Sequence, residues 1–324
     1  MRDDCVGAIN CADLCNIEQP TISVLTPSLN HGRFLRQTIE SIASQEFRSF
    51  EHIVVDGGSS DETVDILRQY PHVRWISEKD RDVLEAYRKG LAMARGRYVI
   101  QCCVSDGFLD RNWFRKCVDI LERDEEISLV WGFAQTMSEE GDLLNVSFQE
   151  FFNDPPPQKQ EFLAYWLATG FPLPEGNYCV RSEVMKAWFP DERADGCFRT
   201  CGHLGFMYHF FTQGYMPYFI PTVANFGRQH HDQRSNRLRD IEGPALREYL
   251  RRTKQYAELV LTGGTTHSFR NGRGEVTSVL DPKSRGMLRR RIWRHKLLSS
   301  HLLRRDVFTI VKEVRRRIRQ RLGS

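Results

Sequence analysis

The 324-residue chain contains no uninterrupted apolar run of 18 residues, so no membrane-spanning helix is expected. Its first residues, Met1-Arg2-Asp3-Asp4-Cys5, lack the basic, then apolar, then small-residue layout of a secretory signal, and a cytoplasmic protein is expected. None of its nine cysteines forms a CxxC pair. The spacings Cys5/Cys11/Cys15 and Cys197/Cys201/His203 supply no four-ligand zinc set, so free thiols in a reducing compartment are expected. There is no internal repeat. Disorder along the whole chain is excluded by composition, 40% hydrophobic and 27% charged.

Charge of one sign is scarce in one place. Residues 285–324 carry 14 Lys or Arg against two acids, Asp306 and Glu313, a net of +12 that leaves −8 on residues 1–284. An acidic body with a basic tail points to an anionic partner for the tail. Leu303, Val307, Ile310, Val314, Ile318 and Leu322 form one apolar stripe at helical spacing, and arginine crowds the remaining faces. Such a helix suits the anionic inner leaflet of a membrane, which would make the protein peripheral there. It could also pack on the acidic body through its stripe. With Trp293 and Phe308 the only nearby aromatics and no reader motif, nucleic acid is not expected as a partner.

Residues 1–19 read as a mobile polar leader, 20–240 as the principal domain and 241–324 as a basic helical extension. In the principal domain, strand-like runs begin at Ile22, His52, Val73 and Tyr98, with helical patterns between them. Four strand–helix alternations in some 90 residues, with strands reading as unbroken apolar runs, predict a mostly parallel α/β sheet flanked by helices. Ser59-Ser60-Asp61-Glu62 has the form of a capping box. Pattern weakens after residue 125: a strand is expected over 127–133, short helices over 162–167 and 207–212, and a last strand over 218–221.

Ligands bind such sheets beyond the carboxyl ends of the strands. The polar clusters there are Pro27–Asn30, Asp56–Asp61, Glu78–Asp80 and Ser105–Asp106, and topology places all four along one cleft. An Asp-Gly-Gly-Ser-Ser-Asp turn presents a carboxylate and several N–H groups to a polar ligand. It could equally be a tight strand–helix turn. A lone carboxylate in Ser105-Asp106-Gly107 suits a hard divalent cation, or simply a β-turn.

These ordered segments, Ile22–Asn30, His52–Asp61, Trp75–Asp80, Glu85–Gly90, Ala94–Gly96 and Val104–Asp106, resemble those of family-2 glycosyltransferases with a GT-A, Rossmann-type fold. The resemblance covers roughly residues 20–235. It implies a nucleotide-diphosphate-sugar donor and transfer to an acceptor hydroxyl, usually with inversion. It also implies that Pro27, Ser28 and Asn30 border the nucleotide and that Asp56, with Gly57 beside it, binds the base. Asp80 would lie under the ribose or diphosphate, and Ser105-Asp106 would hold the metal, Mg2+ or Mn2+, through Asp106. His230, flanked by Arg228 and His231, matches the closing loop that reaches the donor phosphates. Family habit and the basic tail together suggest a lipid-linked saccharide acceptor in polysaccharide biosynthesis.

The chain departs from the pattern at two places. Val104 stands where the metal motif has its first acid, and Gly107 where a further acid is frequent. Counting back from Gly214-Tyr215 to the general base reaches His203-Leu204-Gly205 instead of an acidic pair. The base is then His203 or Asp195, or the chain is a non-catalytic sugar-nucleotide-binding partner in a glycan-assembly complex. A nucleotidyltransferase is disfavoured because no glycine-rich Gly-X-Gly-X-Arg-like loop follows the first strand.

Overall fold

The structure, a computed structural model, describes residues 19–147, 159–190, 198, 201–233 and 239–296. Asp195 and the stripe from Leu303 to Leu322 lie outside them, as does the leader to residue 18.

The first four strands are β1 (Ile22–Ser28), β2 (Phe50–Asp56), β3 (Val73–Ser77) and β4 (Tyr98–Gln101). They pair in parallel in the order β3-β2-β1-β4. Between them lie α1 (Gly32–Ala43), α2 (Thr63–Leu67) and α3 (Val83–Met93). Successive residues of a strand face opposite sides, and both sides here are apolar. Leu25, Ile53 and Val55 pack with Leu84, Tyr87 and Leu91 of α3. Val54 packs on the opposite side with Leu35 and Ile39 of α1 and Ile66 and Leu67 of α2.

The sheet continues through β5 (Gly107–Phe108), β6 (Ile127–Met137), β7 (Leu143–Ser147), β8 (Cys179–Arg181) and β9 (Met216–Arg228). Among the described residues, nine strands form one sheet of order β3-β2-β1-β4-β8-β6-β9-β5, with β7 paired to β6. Direction changes at β8, which is antiparallel to both β4 and β6. Helix α4 (Trp113–Arg123), an element beyond those expected above, buries Trp113, Phe114, Cys117, Val118 and Leu121 on the sheet. Helices α5 (Lys159–Thr169), α6 (Ser182–Trp188), α7 (Gly202–Thr212) and α8 (Arg239–Thr262) follow. A hairpin of β10 (Ser268–Arg270) and β11 (Val276–Val279) precedes a helical stretch over residues 285–296. Ala245, Tyr249, Val260, Phe269, Leu288 and Ile292 join the same core as β6 and α5.

Three sequence expectations change. Helix α7 begins at Gly202, five residues before the expected 207, and β9 runs over 13 residues where 218–221 was expected. The capping box does not form, because Ser59 turns its hydroxyl to Asp56. Asp61 takes over: its Oδ1 accepts from the Thr63 N–H at 3.1 Å, and its Oδ2 from the Gly32 N–H of α1 at 2.9 Å. Burial opposes the Asp61 charge, but these hydrogen bonds and the Thr63 hydroxyl outweigh it and hold the carboxyl below its usual range.

Candidate active site

The loops after β1, β2 and β3 are tied into one cradle by polar contacts. The Gly57 N–H donates to the Ser28 carbonyl at 2.9 Å, and the Glu78 N–H to the Asp56 carbonyl at 3.0 Å. Asn30 sits at φ 53, a left-handed conformation that asparagine tolerates better than most residues. From there its N–H donates to Ser59 Oγ at 2.8 Å and its Oδ1 accepts from the Ser60 N–H at 2.8 Å. Asp80 stands over Gly57: a Cβ there would lie 3.4 Å from Asp80 Oδ2. Lys89 pairs with Asp80 and, at 2.8 Å, with Glu78. Burial pushes the Asp80 carboxyl up, and Lys89 pulls against it.

Asp56 ends β2 with its carboxylate buried. It shares a register position with Ser28 on one side and Ser77 on the other. Oδ2 accepts from the Ser59 N–H at 3.0 Å and the Ser77 hydroxyl at 2.6 Å, and Oδ1 from the Ser59 hydroxyl. A carboxylate has about four acceptor positions, so one remains on Oδ1. Ser28 Oγ, next in the register, is buried with no protein partner. Within the Trp75–Asp80 segment nothing marks Ser77 as a partner of Asp56; that role follows only from the parallel register.

Beyond β4 the chain turns through Ser105, at φ 88, to Asp106. Thr38 of α1 clamps this turn, its hydroxyl donating to the Asp106 carbonyl at 2.8 Å and accepting from the Ser105 N–H at 3.2 Å. Asp106 Oδ1 accepts from the Arg228 N–H at 3.1 Å. Burial is the main cause that pushes the Asp106 carboxyl up to about 7. Among the described residues, no group of three His, Cys, Asp or Glu could hold a metal ion. What the site offers a cation is one carboxylate oxygen, Asp106 Oδ2, so a fit requires the donor's diphosphate to supply further oxygens. Mg2+ accepts such a shell of few protein ligands.

The closing-loop residues are committed to packing. His230 is buried against the rings of His31 and Phe34, at centroid distances of 5.1 and 4.9 Å. Burial, with His31 and Arg33 adding to it, brings its imidazole down to about 4, so it is neutral near pH 7. Arg228 donates to the carbonyls of Ser138 and Glu139 at 3.0 and 2.9 Å and also to Gln37. His231 Nδ1 meets Glu139 at 2.9 Å.

His203, in the first turn of α7, stacks on Tyr178 with ring centroids 5.7 Å apart. Tyr178 donates its hydroxyl to Gln101 Oε1 at 2.6 Å, at the end of β4. Burial lowers the His203 pKa against the opposing pull of Glu175 and a hydrogen bond to the Leu173 backbone. Glu175, absent from the sequence reading, reaches this region from the loop between α5 and β8. The only sequence signal for it is a Pro174-Glu175-Gly176 turn.

A twisted sheet whose parallel half gathers polar loops at its carboxyl edge, followed by a mixed half bearing β6 and β9, is a GT-A glycosyltransferase fold. Residues 23–171, a little under half of the chain, match the family described as Glycosyl transferase family 2. A chondroitin synthase of Escherichia coli is 28% identical over 130 residues, 39% of this chain and 19% of that protein. The chain spans less than half the length of the curated relatives it matches. The S. aureus TarS 1-349 structure in complex with UDP-GlcNAc superposes with a TM-score of 0.52 at 12% identity, covering 83% of this chain and 70% of that one. A mannosyltransferase from Pyrobaculum calidifontis in complex with GDP-Man and Mn2+ gives 0.50 at 16% identity, covering 76% and 75%. At these identities the structures establish the fold. Among the described residues, no helix is long and apolar enough to cross a membrane.

Proposed function

We propose that this glycosyltransferase moves a sugar from a nucleotide-diphosphate donor to an acceptor hydroxyl, with inversion at the anomeric carbon. The observation that supports the reading best is the cradle around Gly57, where three strand-end loops hold Asn30, Asp56 and Asp80 together. In this reading the free acceptor position of Asp56 and the unpartnered Ser28 hydroxyl receive N–H and O–H groups of the nucleoside, after Ser59 turns aside. Pro27 and Asn30 border the nucleoside, and Asp80 lies under the ribose or diphosphate. Ser105 shapes the turn that presents Asp106, whose Oδ2 would hold Mg2+ or Mn2+; such an ion neutralises charge on the diphosphate. His230, neutral and packed on Phe34, would approach the phosphates by hydrogen bonding instead of by charge. The complexes of UDP-GlcNAc and GDP-Man with proteins of the same fold support the donor class.

The acceptor in this reading is a lipid-linked saccharide of a surface polysaccharide, met at the cytoplasmic face of a membrane. The relative's name, chondroitin synthase, accords with polysaccharide synthesis. Trp293 and Met287 are exposed on a helical stretch that also exposes Arg289, Arg290 and Arg294, a surface suited to anionic lipid.

The test is a thermal-shift titration with UDP, GDP and dTDP and their sugars, with and without Mg2+. A true donor raises the unfolding midpoint, through a stabilisation of about 2.7 kcal/mol at a hundredfold excess over Kd. No shift with any of them overturns the reading. The non-catalytic alternative is favoured by Val104 and Gly107 in the metal motif and by His203-Leu204-Gly205 where an acidic pair is expected. It predicts binding without release of nucleoside diphosphate.

A further inference from the structure

The second departure of the sequence leaves transfer without an obvious proton acceptor. His203 is a poor one, since among the described residues it is partly buried, hydrogen-bonded to the Leu173 backbone, stacked on the Tyr178 ring and 3.4 Å from the Tyr178 hydroxyl through Nδ1. We infer that Glu175 is the general base of the transfer, an inference that rests on the proposed glycosyl transfer.

The loop carrying Glu175 is rigid where it matters. Gly176 stands at φ +99, and a Cβ there would lie 3.7 Å from Asp106 Oδ2 and 3.2 Å from Asn225 Nδ2. The next residue, Asn177, is anchored in the sheet. Its Nδ2 donates to the Gly132 carbonyl at 2.9 Å and to Asn225 Oδ1 at 3.0 Å, and its carbonyl accepts from Trp113 Nε1 at 2.9 Å. Tyr178 follows, fixed to Gln101. The backbone at Glu175 is thereby held against the Asp106 turn, while its side chain remains exposed. Its carboxylate makes no hydrogen bond or ion pair with any described residue, yet its charge reaches Asp106, His203, Tyr87 and Tyr178 together. The loop runs from Gly176, beside the Asp106 oxygen that would face the diphosphate, to Tyr178, whose hydroxyl lies 3.4 Å from His203 Nδ1 in the first turn of α7.

The chemistry that fits is proton abstraction from the attacking hydroxyl. The acceptor oxygen forms its bond to the anomeric carbon as the bond from that carbon to the β-phosphate oxygen breaks. The electron pair leaves with the diphosphate, and the hydroxyl proton passes to the Glu175 carboxylate. A carboxylate with no ion pair among the described residues can accept that proton without first giving one up. Asp106 and Glu175 then divide the work, one on the leaving group and one on the nucleophile.

The probe reaction is hydrolysis of UDP-, GDP- and dTDP-sugars, with water as the acceptor and released nucleoside diphosphate as the readout. Glu175→Gln should lower kcat by about 10²- to 10⁴-fold. It should leave nucleoside diphosphate affinity and the unfolding midpoint unchanged. Glu175→Asp should recover part of the rate, and His203→Gln should lose at least about tenfold less than Glu175→Gln. A Glu175→Gln rate within about threefold of wild type overturns the assignment while leaving the donor reading intact. Wild-type protein that binds nucleotide but hydrolyses no donor overturns catalysis itself, and the base with it.

Discussion

The two halves of the large sheet encode their sites differently. In the half from β1 to β4, chain order and spatial order coincide closely enough that every strand ends at the same edge. In the half from β5 to β9, the order β8-β6-β9-β5 mixes directions, and neighbours in space come from distant parts of the chain. A parallel half converts sequence position into site position, whereas a mixed half hides it. Equivalent glycine substitutions should separate the two. A Cβ at Gly96 would lie 2.5 Å from the Ser23 backbone nitrogen and 2.7 Å from the Ile22 carbonyl carbon, both in β1. Backbone cannot yield there, and Gly96→Ala should destabilise the fold by about 4 kcal/mol in urea unfolding. Gly176→Ala meets a looser neighbour but a left-handed backbone, and should cost about 1–2 kcal/mol. Its larger effect should be on turnover, because it displaces Glu175. Equal stability losses would erase the distinction.

Acid should expose a second contrast, between the parallel half and the C-terminal hairpin. His52 of β2 is buried, with its Nε2 2.9 Å from Thr26 Oγ1. Burial, and then His72, bring its imidazole down to about 3. His267, before β10, is brought down to about 4 by burial and meets the Tyr256 hydroxyl at 2.9 Å. A folded-state value below the unfolded one of about 6.5 means that the unfolded chain binds more protons in acid. Each histidine therefore contributes stability that is complete above pH 6.5 and is lost as pH falls toward 3 for His52 and 4 for His267. Between pH 6.5 and 5 each accounts for about 2 kcal/mol. His52→Gln should remove its share of the slope in urea unfolding across that range and leave that of His267. An unchanged slope would show that His52 is not held neutral.

How much of the site could be read in advance follows from the same contrast. Asp56 and Asp106 could be placed because each ends a strand-like run that closes in a turn. Ser77 could not: it meets Asp56 only through a register that a single strand does not specify. Thr38 clamps the Asp106 turn from the buried side of α1, where its spacing matched that of core residues. Helix α4 carries a local signal of its own, since Trp113, Phe114, Cys117, Val118 and Leu121 fall at helical spacing. Glu175 was invisible because the groups its charge reaches come from α3, α7 and the Asp106 turn, and no local pattern links them. The reading of Arg228 and His230 as phosphate contacts came from resemblance. Their burial and pairing became evident only once β9 was seen to run to Arg228.

Nucleotide binding sharpens the comparison further, because Asn30, Asp56 and Asp80, proposed above to hold the nucleoside end of the donor, lie in the parallel half. Asp56→Asn keeps the shape at the end of β2 but gives the residue an N–H2 group where the carboxylate accepts from Ser59 and Ser77. One of those donors must lose its acceptor, as must the incoming nucleoside. Nucleoside diphosphate affinity should fall by about tenfold, near 1.4 kcal/mol, in a calorimetric titration. Asn177→Ala, in the mixed half, should loosen the Glu175 loop and reduce turnover with much less effect on that affinity. Loss of affinity in both would mean that the halves do not divide donor binding from catalysis.

The smallest effect is expected where the mixed half meets the basic extension. Leu288 and Ile292 are buried in the core shared with β6 and α5, and His295 meets Glu161 of α5 at 2.5 Å. Helical spacing turns the next residue, Trp293, outward, where 64% of it is exposed. An indole exposed to that extent has little packing to lose, so Trp293→Ala should change stability by no more than about 0.5 kcal/mol. The same substitution should weaken pelleting with anionic vesicles, since an aromatic ring beside Arg289, Arg290 and Arg294 adds interfacial anchoring that charge alone lacks. A large stability loss would place the indole in a packed interface, and an unchanged vesicle affinity would remove it from the membrane surface. Either outcome would assign this helix wholly to the body of the domain, continuous with the core it already shares.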